Sequence, residues 1–200
     1  TQLHRQRNNW LPAYQRIAIL KRAAALMRDR FDELAFLIAN EGGKPLIDAR
    51  IEVERAIDGV GLAVEGIGHL QGSELPMDLT AAGAGRMAFT TREPIGPVVA
   101  ISAFNHPLNL IVHQVAPAVA VGCPVIVKPA DDTPLSAKAF VEILIEAGLP
   151  GEWCAFFPCD IPTAEKLVTD ARVAFFSFIG SSKVGWMLRS KLAPGTRCAL

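Results

Sequence analysis

Apolar residues at Ala13, Ile17, Leu20, Ala24, Met27, Phe31, Leu34 and Ile38 recur at helical spacing, and Gly42-Gly43 closes the run. Pro45 suits the first turn of a second helix. Its apolar positions Leu46, Ala49, Val53, Ala56, Val60, Ala63 and Ile67 step alternately by three and four, a stripe built to pack on another surface. The stretch "GHLQGSELPMDLTAAGAG" is rich in Gly and small residues and reads as a loop. In "RMAFTTREP" apolar and polar residues alternate, which predicts a half-exposed strand ended by Pro94. A lone strand needs a partner. The nearby sequence offers no good one, so the expected partner is a segment outside the chain or another subunit.

From Pro97 the pattern changes. "PVVAISAF", "PVIVKPA", "EWCAFFP" and "VAFFSFIG" read as buried strands. They alternate with the helical stretches "LNLIVHQVAPAVAVG", "PLSAKAFVEILIEAG", "PTAEKLVTD" and "SKVGWMLRSKLA". Unbroken apolar strands without tight hairpins demand right-handed crossovers and a parallel sheet covered on both faces. The fold class is therefore α/β, a doubly wound parallel sheet preceded by N-terminal helices. In such sheets ligands sit beyond the carboxyl ends of the strands. Three polar clusters fall there: Asn105-His106, Lys128 to Asp131, and Gly180-Ser181-Ser182.

Composition narrows the partners. The 200 residues are half apolar, and 20 Lys+Arg balance 20 Asp+Glu. No basic stripe marks a nucleic-acid surface, and no apolar run reaches membrane-spanning length. No signal peptide opens the chain. Residue 1 is not Met, so the chain is expected to begin inside a longer protein. The four Cys (123, 154, 159 and 198) form no CxxC pair. They read as reduced thiols of a cytoplasmic protein rather than as disulfides or zinc ligands. His106 and His113 lack a third partner for a metal, so no metal site is expected.

Each cluster carries a chemical reading and a plain one. Gly180 ends a strand and Ser181-Ser182 start a helix. Backbone N–H groups at such a start make an anion site suited to a pyrophosphate; the plain alternative is a serine helix cap. The dinucleotide fingerprint GxGxxG is absent. Lys128 offers a point charge for a hydroxyl or phosphate, and Asp131 an acceptor for ribose hydroxyls; alternatively they are a solvated pair, with Asp132 and Thr133 as caps. The Asn105 amide has two N–H donors. It can stabilise a developing oxyanion or simply form an Asx turn before Pro107.

Taken together and in order, "AFNHP", "KPAD" and "FIGS", flanked by "REPIGPV" and "AGLPGEW", resemble the motifs of the NAD(P)-dependent aldehyde dehydrogenase superfamily. The resemblance covers nearly the whole chain. It implies a Rossmann-like cofactor domain lacking GxGxxG, with helices of that domain at 1–71. It also implies a loop and oligomerisation-hairpin strand at 72–95 and the NAD-binding sheet at 96–200. It makes Asn105 the oxyanion-hole residue, acting with the backbone N–H of a nucleophilic Cys. Lys128, Ala130 and Asp131 become the adenosine-ribose site. Phe178, Gly180, Ser181 and Val184 cradle the pyrophosphate and nicotinamide riboside, and Ile101, Ser102, Ala103 and Phe104 line the nicotinamide side. The implied cofactor is NAD, with NADP as the alternative. The implied partners are an aldehyde substrate and further copies of the chain, as a dimer or tetramer.

The sequence departs from the family at three places. Asp131 is one methylene shorter than the usual Glu, "CDIP" at 159–162 replaces a Gly-containing turn, and His106 replaces an aromatic residue. The family's Glu-Leu-Gly-Gly motif and catalytic Cys fall beyond Leu200, and Cys159 has no activating neighbours. The chain thus reads as the cofactor-binding part of an enzyme that oxidises an aldehyde to an acid, inactive by itself. The rival readings are a CoA-acylating or phosphate-using semialdehyde dehydrogenase and a non-catalytic nucleotide-binding module.

Overall fold

Arg30 interrupts what the apolar pattern presents as one long helix. In the computed structural model, which describes residues 2–200, a short α1 (Gln2–Arg5) and a 3-10 turn lead into α2 (Ala13–Asp29) and α3 (Phe31–Gly42). Arg30 sits between α2 and α3 outside helical geometry, with φ −102 and ψ 23. The phase of the apolar stripe survives this one-residue break, so periodicity alone does not reveal it. The break lets α3 turn across α4 (Leu46–Ile67) and α6 (Pro134–Glu146), and the Arg30 guanidinium pairs with Glu146 there. Gly43 closes α3 with φ 62, a left-handed conformation natural to glycine.

The loop after α4 holds a small hairpin. β1 (Glu74–Leu75) pairs antiparallel with β2 (Ala88–Phe89), Glu74 opposite Phe89 and Leu75 opposite Ala88. This corrects the expectation that "RMAFTTREP" finds no partner within the chain. The partner was missed because only two residues on each side pair, and "SELPM" shows no strand alternation.

The sheet proper comprises β3 (Val98–Ile101), β4 (Val125–Lys128), β5 (Cys154–Phe156), β6 (Phe175–Phe178) and β7 (Arg197–Ala199), all parallel, in spatial order β5-β4-β3-β6-β7. Helices α5 (Asn109–Ala120), α6, α7 (Ile161–Val168) and α8 (Ser182–Arg189) connect successive strands. Both faces are covered, which explains the unbroken apolar strands. Val98 and Ala100 belong to a large core shared with α2 to α6, while Val99 belongs to a second core with Val168, Val173, Phe176, Phe178 and Leu188. The four predicted strands and four helices are present. β7 was not foreseen: "RCA" has only Cys198 facing a core and no apolar run to announce it. None of the described helices is long and apolar enough to cross a membrane.

Chain order reverses at β3. The chain runs outward from it through β4 to β5, then returns to β6 on its other side. The crevice at the carboxyl ends of β3 and β6 is thus the topological switch point, where open α/β sheets bind ligands.

Candidate functional site

The register brings the strand ends that carry the three clusters to one level. Ile101 pairs with Lys128 on one side and Phe178 on the other, and its carbonyl accepts from Ile179 N–H at 2.9 Å. The residues that follow these strand ends therefore leave the sheet together: 102–105 from β3, 129–131 from β4 and 179–181 from β6. Gln114 on α5 ties the switch point together, its Nε2 donating to Ile101 O at 3.1 Å and Ser177 O at 3.0 Å. Sequence reasoning does not single out Gln114; the signal is a buried amide in the middle of a mostly apolar helix.

Helix starts at this edge differ in what occupies them. The Glu52 carboxylate on α4 accepts from the N–H groups of Leu108 and Asn109, at 2.9 and 3.1 Å, at the start of α5. Glu41 on α3 accepts from Leu135 N–H at 2.7 Å and Ser136 N–H at 2.9 Å, at the start of α6. Asp160 caps α7 through Thr163 N–H at 3.0 Å. At α8 the only cap is the neutral Ser181 hydroxyl, 3.5 Å from Val184 N–H. Three of four starts already hold a carboxylate; among the described residues α8 alone keeps its positive end free of one. An incoming anion is favoured at that end by free N–H groups and the helix dipole.

Gly180 is required there by packing from below. A Cβ on it would stand 2.6 Å from Phe178 Cζ. Phe178 itself is buried in the second core, beneath Gly180 and Gly185, so it supports the loop from inside while Gly180, Ser181 and Val184 are exposed. The Ser181 side chain caps α8, as the plain reading expects.

Lys128 is buried at 7% exposure, an uncommon place for an ammonium. Its Nζ meets Asp131 Oδ1 at 2.5 Å, and Asp131 is itself exposed. Thr133 supplies no side-chain cap to α6; its hydroxyl donates to Phe104 O at 3.4 Å. Ala130 is half-buried. Ser102 is buried and its hydroxyl reaches only Ala103 O, at 3.5 Å. Ala103 is half-buried and Phe104 projects into solvent.

Asn105 is exposed, and among the described residues its side chain makes no hydrogen bond, so no Asx turn forms. Its amide is free to serve a ligand. It lines a cavity of about 520 Å³ with Lys44, Glu52, Arg55 and His106. Two other cavities, about 450 and 650 Å³, lie along α5 and contain neither Asn105, Lys128 nor Ser181.

Three of the four thiols are shifted away from the thiolate. Burial pushes Cys154 up to about 12 and raises Cys123. Cys159, half-buried, is also raised, chiefly by burial and only partly opposed by Lys128. No group of three His, Cys, Asp or Glu among the described residues stands ready to hold a metal.

The aldehyde dehydrogenase family model matches residues 4–200. The chain belongs to the aldehyde dehydrogenase family. It is 38% identical over 184 residues to 3-sulfolactaldehyde dehydrogenase of Priestia aryabhattai, covering 92% of this chain and 39% of that protein. It superposes on aldehyde dehydrogenase 21 from Physcomitrella patens, solved with the reaction product succinate, with a TM-score of 0.88 and 39% identity, covering 94% of this chain and 39% of that one. Against glyceraldehyde-3-phosphate dehydrogenase GapN from Methanocaldococcus jannaschii, complexed with NADP, the TM-score is 0.87 and identity 34%, covering 95% of this chain and 41% of that one. The chain thus spans about two fifths of the length of these relatives.

Proposed function

We propose that this chain is the cofactor-binding portion of an NAD(P)-dependent aldehyde dehydrogenase that converts an aldehyde to a carboxylic acid. The observation that carries this is that Ile101, Lys128 and Phe178 are level in the sheet, so that the segments bearing Asn105, Asp131 and the carboxylate-free start of α8 leave adjacent strand ends. The residues fit a dinucleotide: a carboxylate-free helix start with exposed Gly180 and Ser181 for a pyrophosphate, a buried ammonium and an exposed carboxylate for ribose hydroxyls, and a free amide beyond β3. When bound, NAD(P) accepts the aldehyde's hydride.

On this reading each residue has a defined task. Ser181 and Val184, with Gly180 permitting close approach, hold the phosphates. Phe178 fixes that loop from below. Lys128, Ala130 and Asp131 hold the adenosine ribose, and 101–104 wall the nicotinamide side. Asn105 donates to the carbonyl oxygen as it gains charge, while the thiolate that attacks the carbonyl comes from outside these 200 residues. Residues 1–71 and 96–200 act as one cofactor domain, with 72–95 as an arm. The arm's exposed Met87 and Phe89 suit contact with further copies of the chain. The four reduced thiols suit a cytoplasmic enzyme.

The test titrates NAD and ADP-ribose into the chain by calorimetry and follows reduced cofactor with propanal, succinate semialdehyde and 3-sulfolactaldehyde in the enzyme carrying its catalytic segment. Saturable binding together with cofactor reduction by an aldehyde is expected. Absence of NAD and NADP binding by both proteins would overturn the proposal.

A further inference from the structure

Glu52 is the most deeply buried charged side chain among the described residues, 0% exposed. Its two oxygens are divided between two tasks. Oε1 accepts from the N–H groups of Leu108 and Asn109. Oε2 accepts from Lys44 Nζ at 2.5 Å and lies 3.4 Å from His106 Nδ1. Lys44 Nζ also lies 3.1 Å from His106 Nδ1. His106 Nδ1 thus faces both members of the pair, the Lys44 ammonium and the Glu52 carboxylate. Glu52 therefore grips both sides of Pro107: Leu108 and Asn109 directly, His106 through Lys44. Asn105 is the next residue back, and its own side chain is held by nothing among the described residues.

Such a buried pair is a poor device for stability. Desolvating two charges offsets most of their attraction, and an apolar pair of similar volume commonly does as well. What Lys44 and Glu52 provide is a fixed path for the backbone between Asn105 and α5, reached from a different helix. We infer that Glu52, with Lys44 and His106, is the positioning device that aims the Asn105 amide, and so governs the reaction without touching the substrate. This rests on the oxyanion role proposed for Asn105. Misplacing a catalytic group by 1 Å costs on the order of 10²-fold in rate, so a loosened loop is expected to cost roughly 10-fold.

The experiment is a double-mutant cycle in the complete enzyme: Asn105→Ala, Glu52→Gln and both together, with kcat and the KM for NAD measured for each. Glu52→Gln keeps an acceptor for Leu108 and Asn109 but turns its amide N–H groups toward Lys44. It is expected to lower kcat roughly 10-fold with the KM for NAD within twofold, and to add less than twofold in the Asn105→Ala background. Lys44→Gln, which leaves the α5 start untouched, is run in the same cycle. It carries the test if Glu52→Gln does not fold, and the same non-additivity is expected of it. An effect of equal size with and without Asn105 would overturn the inference and leave Glu52 a structural residue. No effect of Asn105→Ala itself would instead overturn the oxyanion role on which the inference rests.

Discussion

Replacing Gly180 with Ala places a methyl group against the Phe178 ring. The new carbon would stand 2.6 Å from Cζ, 3.1 Å from Cε1 and 3.3 Å from Cε2. Ordinary carbon contacts lie at about 3.5–4.0 Å, so the ring or the loop has to yield by roughly 1 Å. The ring is buried in the second core, with the Phe176 ring centroid 5.9 Å away and Gly185 packed against it. Overpacking of this kind costs about 1–3 kcal/mol, which in a chain of this size lowers Tm by roughly 3–10 °C. The loop is the softer side, so the N–H groups at the start of α8 move with it and NAD binding weakens as well. Urea unfolding and calorimetric NAD titration read the two effects separately. In a Phe178→Leu background the offending ring atoms are gone, and the stability penalty of Gly180→Ala should shrink by at least about 1 kcal/mol. A Gly180→Ala protein that is as stable as the parent and binds NAD equally well would refute the claim that close packing on Phe178 sets the loop.

Glu41→Gln removes the charge from three hydrogen bonds at the start of α6; a loss of about 1–3 kcal/mol in urea unfolding is expected. For Cys154, burial raises the thiol to about 12, while an unfolded cysteine titrates near about 8.5. The folded chain thus keeps a proton that the unfolded chain releases. The resulting stability is whole below about pH 8.5 and is lost on the way to pH 12, at about 1.4 kcal/mol per pH unit; the slope difference between parent and Cys154→Ala across pH 9–11 measures it. Asp131→Ala removes a carboxylate facing the proposed ribose site and frees Lys128. Because Asp131 is exposed, solvent screening limits its effect, and kcat/KM for NADP relative to NAD should rise roughly 10-fold; an unchanged ratio would show that Asp131 does not read the ribose.

Much of the fold was legible because it rests on long apolar periods. The strands around Val99, Val127 and Phe176 are buried on both faces, and nothing but a covered parallel sheet accommodates them. What escaped was short or long-range. β1 and β2 pair over two residues each, too few for alternation to show, and β7 offers one core-facing residue. Glu41 and Glu52 cap α6 and α5 from helices that lie 94 and 56 residues earlier in the chain, whereas sequence reasoning looks for caps among adjacent Ser, Thr and Asp. Glu52 did leave a trace: it stands on the buried side of α4 beside Ala49, Val53 and Ala56, where a charge requires a partner. Asn105, Lys128 and Ser181 stand out in the sequence because each lies at the end of an apolar strand or within four residues of it. The plain reading of Asn105 lost ground only once its side chain proved to make no turn.

A crystal structure of the chain soaked with NAD tests the central claim most directly. The expected result places the pyrophosphate within hydrogen-bond distance of N–H groups at the start of α8, with the adenosine ribose at Lys128 and the nicotinamide on the Asn105 side. Pyrophosphate bound at α5 or α6 after displacing Glu52 or Glu41, or NAD seated in either cavity along α5, would contradict it.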